Sequence, residues 1–183
     1  MTAQRVKPTH ARETSSGSEA WFERVFQEHY TRIHALCTRM LGDPDEAEDL
    51  ALEAFVRLHR RPPPDRDAGK LGGWLYRVAT NLGLNALRAR RRRKRYEDEA
   101  GMMSIESDTY GDPAAELERA LERARVQRTL ASMKPRSAQI LLLRHSGLSY
   151  AEIGAALELS TGSIGTLLSR AEREFERIYK KQV

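Results

Sequence analysis

From Trp21 to Ile178 the apolar residues of this 183-residue chain fall three and four positions apart, and no stretch alternates long enough to make a strand. This is the spacing of amphipathic helices, so the predicted fold class is all-α. The first run is Phe22, Val25/Phe26, His29/Tyr30, Ile33, Leu36/Cys37 and Met40/Leu41, and Gly42 ends it. Asp43 is then placed as an N-cap, with Pro44 at the first helical position and Glu46 three residues after the cap. The second helix turns Ala47, Leu50/Ala51, Ala54/Phe55 and Leu58 inward until Pro62 to Pro64 stop it. A loop through Asp65, Asp67 and Gly69 to Gly72-Gly73 leads to a third helix predicted to begin near Trp74.

Residues 97–113 are acidic and carry Gly101, Ser104, Ser107, Gly111 and Pro113, the composition of a linker. Periodicity returns with Leu117, Ala120/Leu121, Ala124 and Leu130, and breaks at Lys134-Pro135. A short helix from Ala138 to Arg144 closes at Gly147, and Ser149 to Glu152 has the form of a capping box. A turn at Glu158-Leu159-Ser160 precedes the last helix, whose inner stripe is Ile164, Leu167/Leu168, Ala171, Phe175 and Ile178. The expected organisation is two small helical domains: a disordered tail at 1–18, a first domain at 19–96, a flexible linker at 97–113 and a second domain at 114–183.

Several classes are disfavoured. Cys37 is the only cysteine, which leaves no intrachain disulfide and no cysteine-based zinc site. The histidines are scattered without metal-ligand spacing, and no catalytic set stands out, so neither a metal, a cofactor nor enzyme activity is expected. No apolar run approaches a membrane span, and Met1 to Ser18 lacks the apolar segment of a secretory signal. The expected location is the cytoplasm, without membrane insertion.

Charge points to the partner. Lysine and arginine number 31 against 26 acids, and the excess is concentrated. Arg88 and Arg90 to Arg95 form a nearly all-basic run, and no acid occurs from Trp74 to Tyr96. A polyanion would relieve the mutual repulsion and release its counterions. The alternative is a solvated helix end whose cations complement the helix dipole. Upstream lie Trp74, Tyr76, Asn81 and Asn85: aromatic faces stack on unpaired bases and amides read base edges, although an aromatic such as Trp74 also serves as a core anchor.

The segment after Ser149 has the plan of a helix-turn-helix: a short capped helix, a three-residue turn and a longer helix. Gly154 sits where the two helices must approach closely. Thr161, Ser163, Thr166, Ser169 and Arg170 would then lie on the outer face of the recognition helix, within reach of bases and phosphates. A plain helical hairpin with a polar outer face is the competing reading. Gly162 and Gly165 weaken this helix by about 1 kcal/mol each relative to alanine. The second helix is the odd element for a DNA binder: Asp43, Asp45, Glu46, Glu48, Asp49 and Glu53 suit either the dipole and solvent or a basic protein surface.

Taken in order, these segments resemble bacterial σ factors of the extracytoplasmic-function group of the σ70 family. Asp45 to His59 is similar to region 2.2, Gly73 to Arg88 to regions 2.3 and 2.4, and Leu148 to Ala171 to region 4.2. The resemblance implies that Asp45, Glu48, Asp49, Leu50, Glu53 and Phe55 contact the β′ coiled coil of RNA polymerase core. It implies a −10 reading and melting set of Trp74, Tyr76, Arg77, Asn81, Asn85, Arg88, Arg91 and Arg92, with the loop from Pro62 to Gly73 forming a base pocket. For the −35 element it implies Ser149, Tyr150, Thr161, Ser163, Thr166, Ser169 and Arg170. The β flap, promoter DNA and an anti-σ factor complete the implied partners. Asn85 stands where the family usually has Asp, Gly165-Thr166 where a Lys-Ser pair is common, and the triple proline is unusual.

Two rivals remain. A stand-alone helix-turn-helix regulator explains the C-terminal module but not the acidic second helix. A DNA recombinase would require a strand-rich catalytic domain.

Overall fold

The computed structural model describes residues 11–65, 68–99 and 113–182. Among these residues there are seven helices and no strand: α1 (Ala11–Leu41), α2 (Pro44–Arg60), α3 (Ala68–Glu99), α4 (Pro113–Ser132), α5 (Pro135–His145), α6 (Tyr150–Leu157) and α7 (Thr161–Lys180). The all-α expectation holds.

In the first module α1, α2 and α3 pack pairwise. Phe55 of α2 is the centre of an aromatic cluster, 4.8 Å from Phe26 and 6.5 Å edge-on from Phe22. Gly42 ends α1 in the left-handed region at φ +68°, where a side chain would be strained. Asp43 caps α2 as predicted, its carboxylate accepting the Glu46 N–H at 3.0 Å. The Glu46 side chain turns instead to the Arg90 guanidinium, tying α2 to α3.

Two boundaries differ from the sequence reading. α1 begins at Ala11, so residues 11–18 of the expected disordered tail are helical, and 1–10 lie outside the described residues. No proline occurs between Pro8 and Gly42 to stop the helix. α3 begins at Ala68 rather than near Trp74, absorbing Gly72 and Gly73. Leu71 and Leu75, four apart on one face, are both buried and secure this extra turn. A Cβ on Gly72 would stand 3.1 Å from the His29 ring, so glycine is what lets α3 settle against α1. Of the expected linker, 97–99 continue α3 and 100–112 lie outside the described residues.

The second module is α4 to α7. α5 buries Ala138, Ile140, Leu141 and Leu143, while α7 contributes Ile164, Leu168 and Ala171. The predicted capping box is formed: Ser149 accepts the Glu152 N–H at 3.2 Å, and the Glu152 carboxylate accepts the Ser149 N–H at 2.7 Å. Both bonds hold the Glu152 carboxyl below the usual range. A Cβ on Gly154 would lie 2.9 Å from the Leu159 carbonyl, so the turn closes only over glycine.

The two modules are not apart. α3 packs against α4, α5 and α6 as well as α1 and α2, and one hydrophobic core runs through both. Gln127 of α4 donates to the Met40 and Leu41 carbonyls at 3.1 and 2.7 Å, satisfying acceptors that the end of α1 leaves open.

Candidate nucleic-acid interface

Three surfaces carry the predicted site residues. On α2, Asp45, Glu48 and Asp49 are exposed, Leu50 and Glu53 are half-buried, and Glu53 pairs with Arg57 at 2.8 Å. Phe55 is 1% exposed, which corrects its assignment as a surface contact: it holds α2 in place from inside the core. The sequence reading missed Leu52 and Val56, large apolar side chains 39% and 38% exposed. Positions 45, 48, 49, 52 and 56 follow the three-four spacing of one helix face. α2 therefore shows an acidic end continuing into an apolar end. Extending the spacing of the acids by one and two turns would have found the two apolar members.

α3 carries the second surface. Trp74 and Tyr76 are half-buried against the core, so the anchor reading holds for part of each ring, and burial pushes the Tyr76 hydroxyl up. Asn81 and Asn85 are exposed, Arg77 and Arg88 half-buried, and Arg91 and Arg92 exposed. Arg90 is engaged internally, donating to the Leu41 carbonyl at 3.1 Å as well as pairing with Glu46. The basic end of α3 faces α4 across a cleft of about 630 Å3. Arg88, Arg91, Arg92, Lys94, Arg95 and Arg128 line it together with Arg90, and no acid does. Such a groove favours a polyanion backbone.

The third surface is the outer face of α7. Thr161, Thr166, Ser169 and Arg170 are exposed and Ser163 half-buried. Two of the hydroxyls bond their own helix: Ser163 to the Ser160 carbonyl at 2.7 Å and Ser169 to the Gly165 carbonyl at 3.1 Å. The Ser149 hydroxyl is held in the cap, and the exposed Tyr150 ring lies 3.6 Å from where a Gly165 Cβ would be. A Cβ on Gly162 would meet the Ser160 hydroxyl in ordinary contact at 3.8 Å. Base-reading groups on this face are thus few, and Arg170 and Thr166 are its most available donors. No group of side chains suited to hold a metal occurs among the described residues, and none of their helices is long and apolar enough to cross a membrane.

An acidic-apolar stripe, a basic helix with aromatic and amide side chains, and a helix-turn-helix define a class: a two-module, all-helical transcription factor. Comparison with known proteins gives the family. Sigma-70 region 2 matches residues 25–93 and Sigma-70 region 4 matches residues 123–175, one on each module. Among curated relatives, ECF RNA polymerase sigma factor SigE of Mycolicibacterium smegmatis is 34% identical over 85% of this chain and 60% of its own length. SigW of Bacillus subtilis is 27% identical over 97% of this chain and 96% of its own. Two solved structures share the fold. The sigma factor RpoE of Bartonella quintana, in complex with the anti-sigma factor NepR, has a TM-score of 0.51 at 20% identity over 87% of this chain and 96% of its own. CnrH, in complex with the cytosolic domain of CnrY, has a TM-score of 0.55 at 19% identity over 94% of this chain and 96% of its own. The chain belongs to the σ70 family of RNA polymerase sigma factors, in its extracytoplasmic-function group.

Proposed function

We propose that this chain is a σ subunit that brings RNA polymerase core to a dedicated set of promoters and helps to melt them. The observation that carries it is the α2 stripe of Asp45, Glu48, Asp49, Leu52 and Val56. A DNA-binding protein that worked alone would have no use for an acidic face ending in two exposed large apolar side chains. Such a face suits a basic, partly apolar helix pair, which is the kind of surface a polymerase coiled coil presents.

The DNA contacts divide by chemistry. Arg88, Arg91 and Arg92 suit phosphates and give affinity without sequence. Asn81, Asn85 and the exposed edges of Trp74 and Tyr76 suit the bases of an opened strand near −10. Arg170 and Thr166 supply what base contact α7 makes near −35. Catalysis belongs to the polymerase, and the cytoplasm is where core and promoter meet. The solved relatives bound to NepR and to CnrY support an anti-σ protein as a further partner here.

Capture of core polymerase by the immobilised chain tests the reading. Retention that falls when Asp49 is reversed to Lys supports it, and no retention of core points to a stand-alone helix-turn-helix regulator.

A further inference from the structure

The cleft of about 630 Å3 between the basic end of α3 and α4 has the size of a small-molecule site. Its floor is apolar: Leu87 of α3 with Ala124 and Ala131 of α4. Cations converge on it from both walls. Besides Arg90, five come from α3 between Arg88 and Arg95, and Arg128 comes from α4. Arg90 is matched by Glu46 of α2. The oxygens that Arg88 and Arg91 reach are uncharged: the Met133 carbonyl at 3.5 Å and the Ser132 hydroxyl at 2.8 Å. That hydroxyl in turn donates to the Arg128 carbonyl at 2.6 Å, so Arg91 is tied to the backbone of the facing wall. No acid is among the lining residues. Like charges gathered in this way repel, and low-dielectric walls concentrate their field.

We infer that this cleft is a binding site for a compact oligophosphate, free or carried by a nucleoside. Guanidinium groups meet phosphate oxygens in paired, charge-assisted hydrogen bonds, and a short phosphate chain brings several negative charges into a small volume. A single phosphate brings too few to offset cations on both walls. Duplex DNA does not enter the interior, because helices in contact lie about 8–10 Å apart, axis to axis. It can lie along the outward arginines of α3, and for that it needs no cation on α4. Arg128 therefore marks a ligand held between two walls. The apolar floor offers a nucleobase a face to rest on. Binding does not depend on the σ reading, but one consequence does. Arg88, Arg91 and Arg92 belong to the −10 set, so an occupied cleft withdraws their charge from promoter DNA.

Titration calorimetry of the full chain tests the site, with inorganic tripolyphosphate, ATP, adenosine and orthophosphate as probes at one ionic strength and without divalent cations. Saturable one-to-one binding of tripolyphosphate and ATP is expected, with a rise in melting temperature. Orthophosphate and adenosine are expected to bind at least about tenfold more weakly. Equal affinity for tripolyphosphate and ATP assigns recognition to the phosphate chain, and tighter binding of ATP adds the base on the apolar floor; either result supports the site. Binding that does not saturate, or several equivalents per chain, overturns it.

Arg128→Ala separates the site from general electrostatics. The side chain is exposed, so circular dichroism should be unaltered. The substitution is expected to weaken tripolyphosphate binding about tenfold, and Arg128→Lys to recover part of the loss. Arg119→Ala removes another exposed cation of α4 that does not line the cleft, and is expected to leave the affinity within about twofold. Equal losses in the Arg119 and Arg128 variants contradict the proposal. Competition reads the consequence: at constant ionic strength tripolyphosphate should displace single-stranded DNA from the native chain more effectively than from Arg128→Ala. Identical displacement from both refutes the withdrawal of charge from DNA. If the chain binds no polymerase core, the σ reading fails, while calorimetry still decides the oligophosphate site.

Discussion

Gln139 of α5 donates its side-chain amide to the Asn81 side-chain carbonyl of α3 at 2.7 Å, joining a buried glutamine of the second module to an exposed asparagine of the first. The bond engages a residue that is also a base-reading candidate of α3, so a base would have to displace Gln139 to reach the Asn81 carbonyl.

Asn81→Ala therefore has two expected effects. It leaves the Gln139 amide without its partner, which destabilises the fold by about 1 kcal/mol and lowers the melting temperature by a few degrees. It also reduces open-complex formation on promoter DNA while leaving core binding intact. Calorimetry and permanganate footprinting measure the two separately. An unchanged melting temperature would show that the bond carries no stability.

On α2, Asp49→Lys is expected to weaken core binding by roughly tenfold, and Leu52→Ala by roughly fivefold through lost apolar contact of about 1 kcal/mol. Circular dichroism should be unaltered, because both side chains point outward. Val56→Ala should act in the same direction as Leu52→Ala. Core affinity by fluorescence anisotropy checks all three, and full affinity in the Leu52 variant would remove the apolar half of the stripe from the interface.

Replacing Arg91, Arg92 and Arg93 by alanine should weaken DNA binding across sequences. If all three neutralise phosphates, the slope of log affinity against log salt becomes shallower by about 2 to 3. The plot for holoenzyme on one promoter fragment measures it. An identical slope would mean that these arginines meet solvent or protein instead.

His29 gives a pH prediction. Burial, the largest influence, lowers its pKa from the ordinary 6.5. The folded chain then takes up a proton less readily than the unfolded chain. The stability this contributes is fully present above the unfolded value and is lost as pH falls through the lowered one. Urea midpoints should decline as pH drops below about 6.5, and His29→Leu should flatten that decline. Parallel pH profiles for the two proteins would contradict the assignment.

Most of the fold was legible in the sequence because local chemistry decides it. The Asp43 cap, Gly42, the Ser149–Glu152 box and Gly154 are residues whose local geometry admits few substitutes, and each does what its type predicts. The three surfaces were legible as charge and spacing. Two boundaries were missed where tertiary packing overrode a breaker: Gly72 and Gly73 read as loop residues but are the close-approach points of a helix against His29 and Ala156. Phe55 was read two ways, inward from its spacing and as a polymerase contact from the resemblance, and its burial agrees with the spacing. The module junction was not legible. Gln139 and Ser132 are polar residues with no periodic mark, Ala156 is marked only as an inward position of its own helix, and their partners lie more than forty positions away.

Run-off transcription with cognate core over genomic DNA fragments tests the central claim most directly. The account predicts discrete transcripts that appear only when the chain is added and that disappear with Asp49→Lys. Equal transcription with and without the chain, from a preparation that still binds DNA, would contradict it and return the protein to the class of stand-alone regulators.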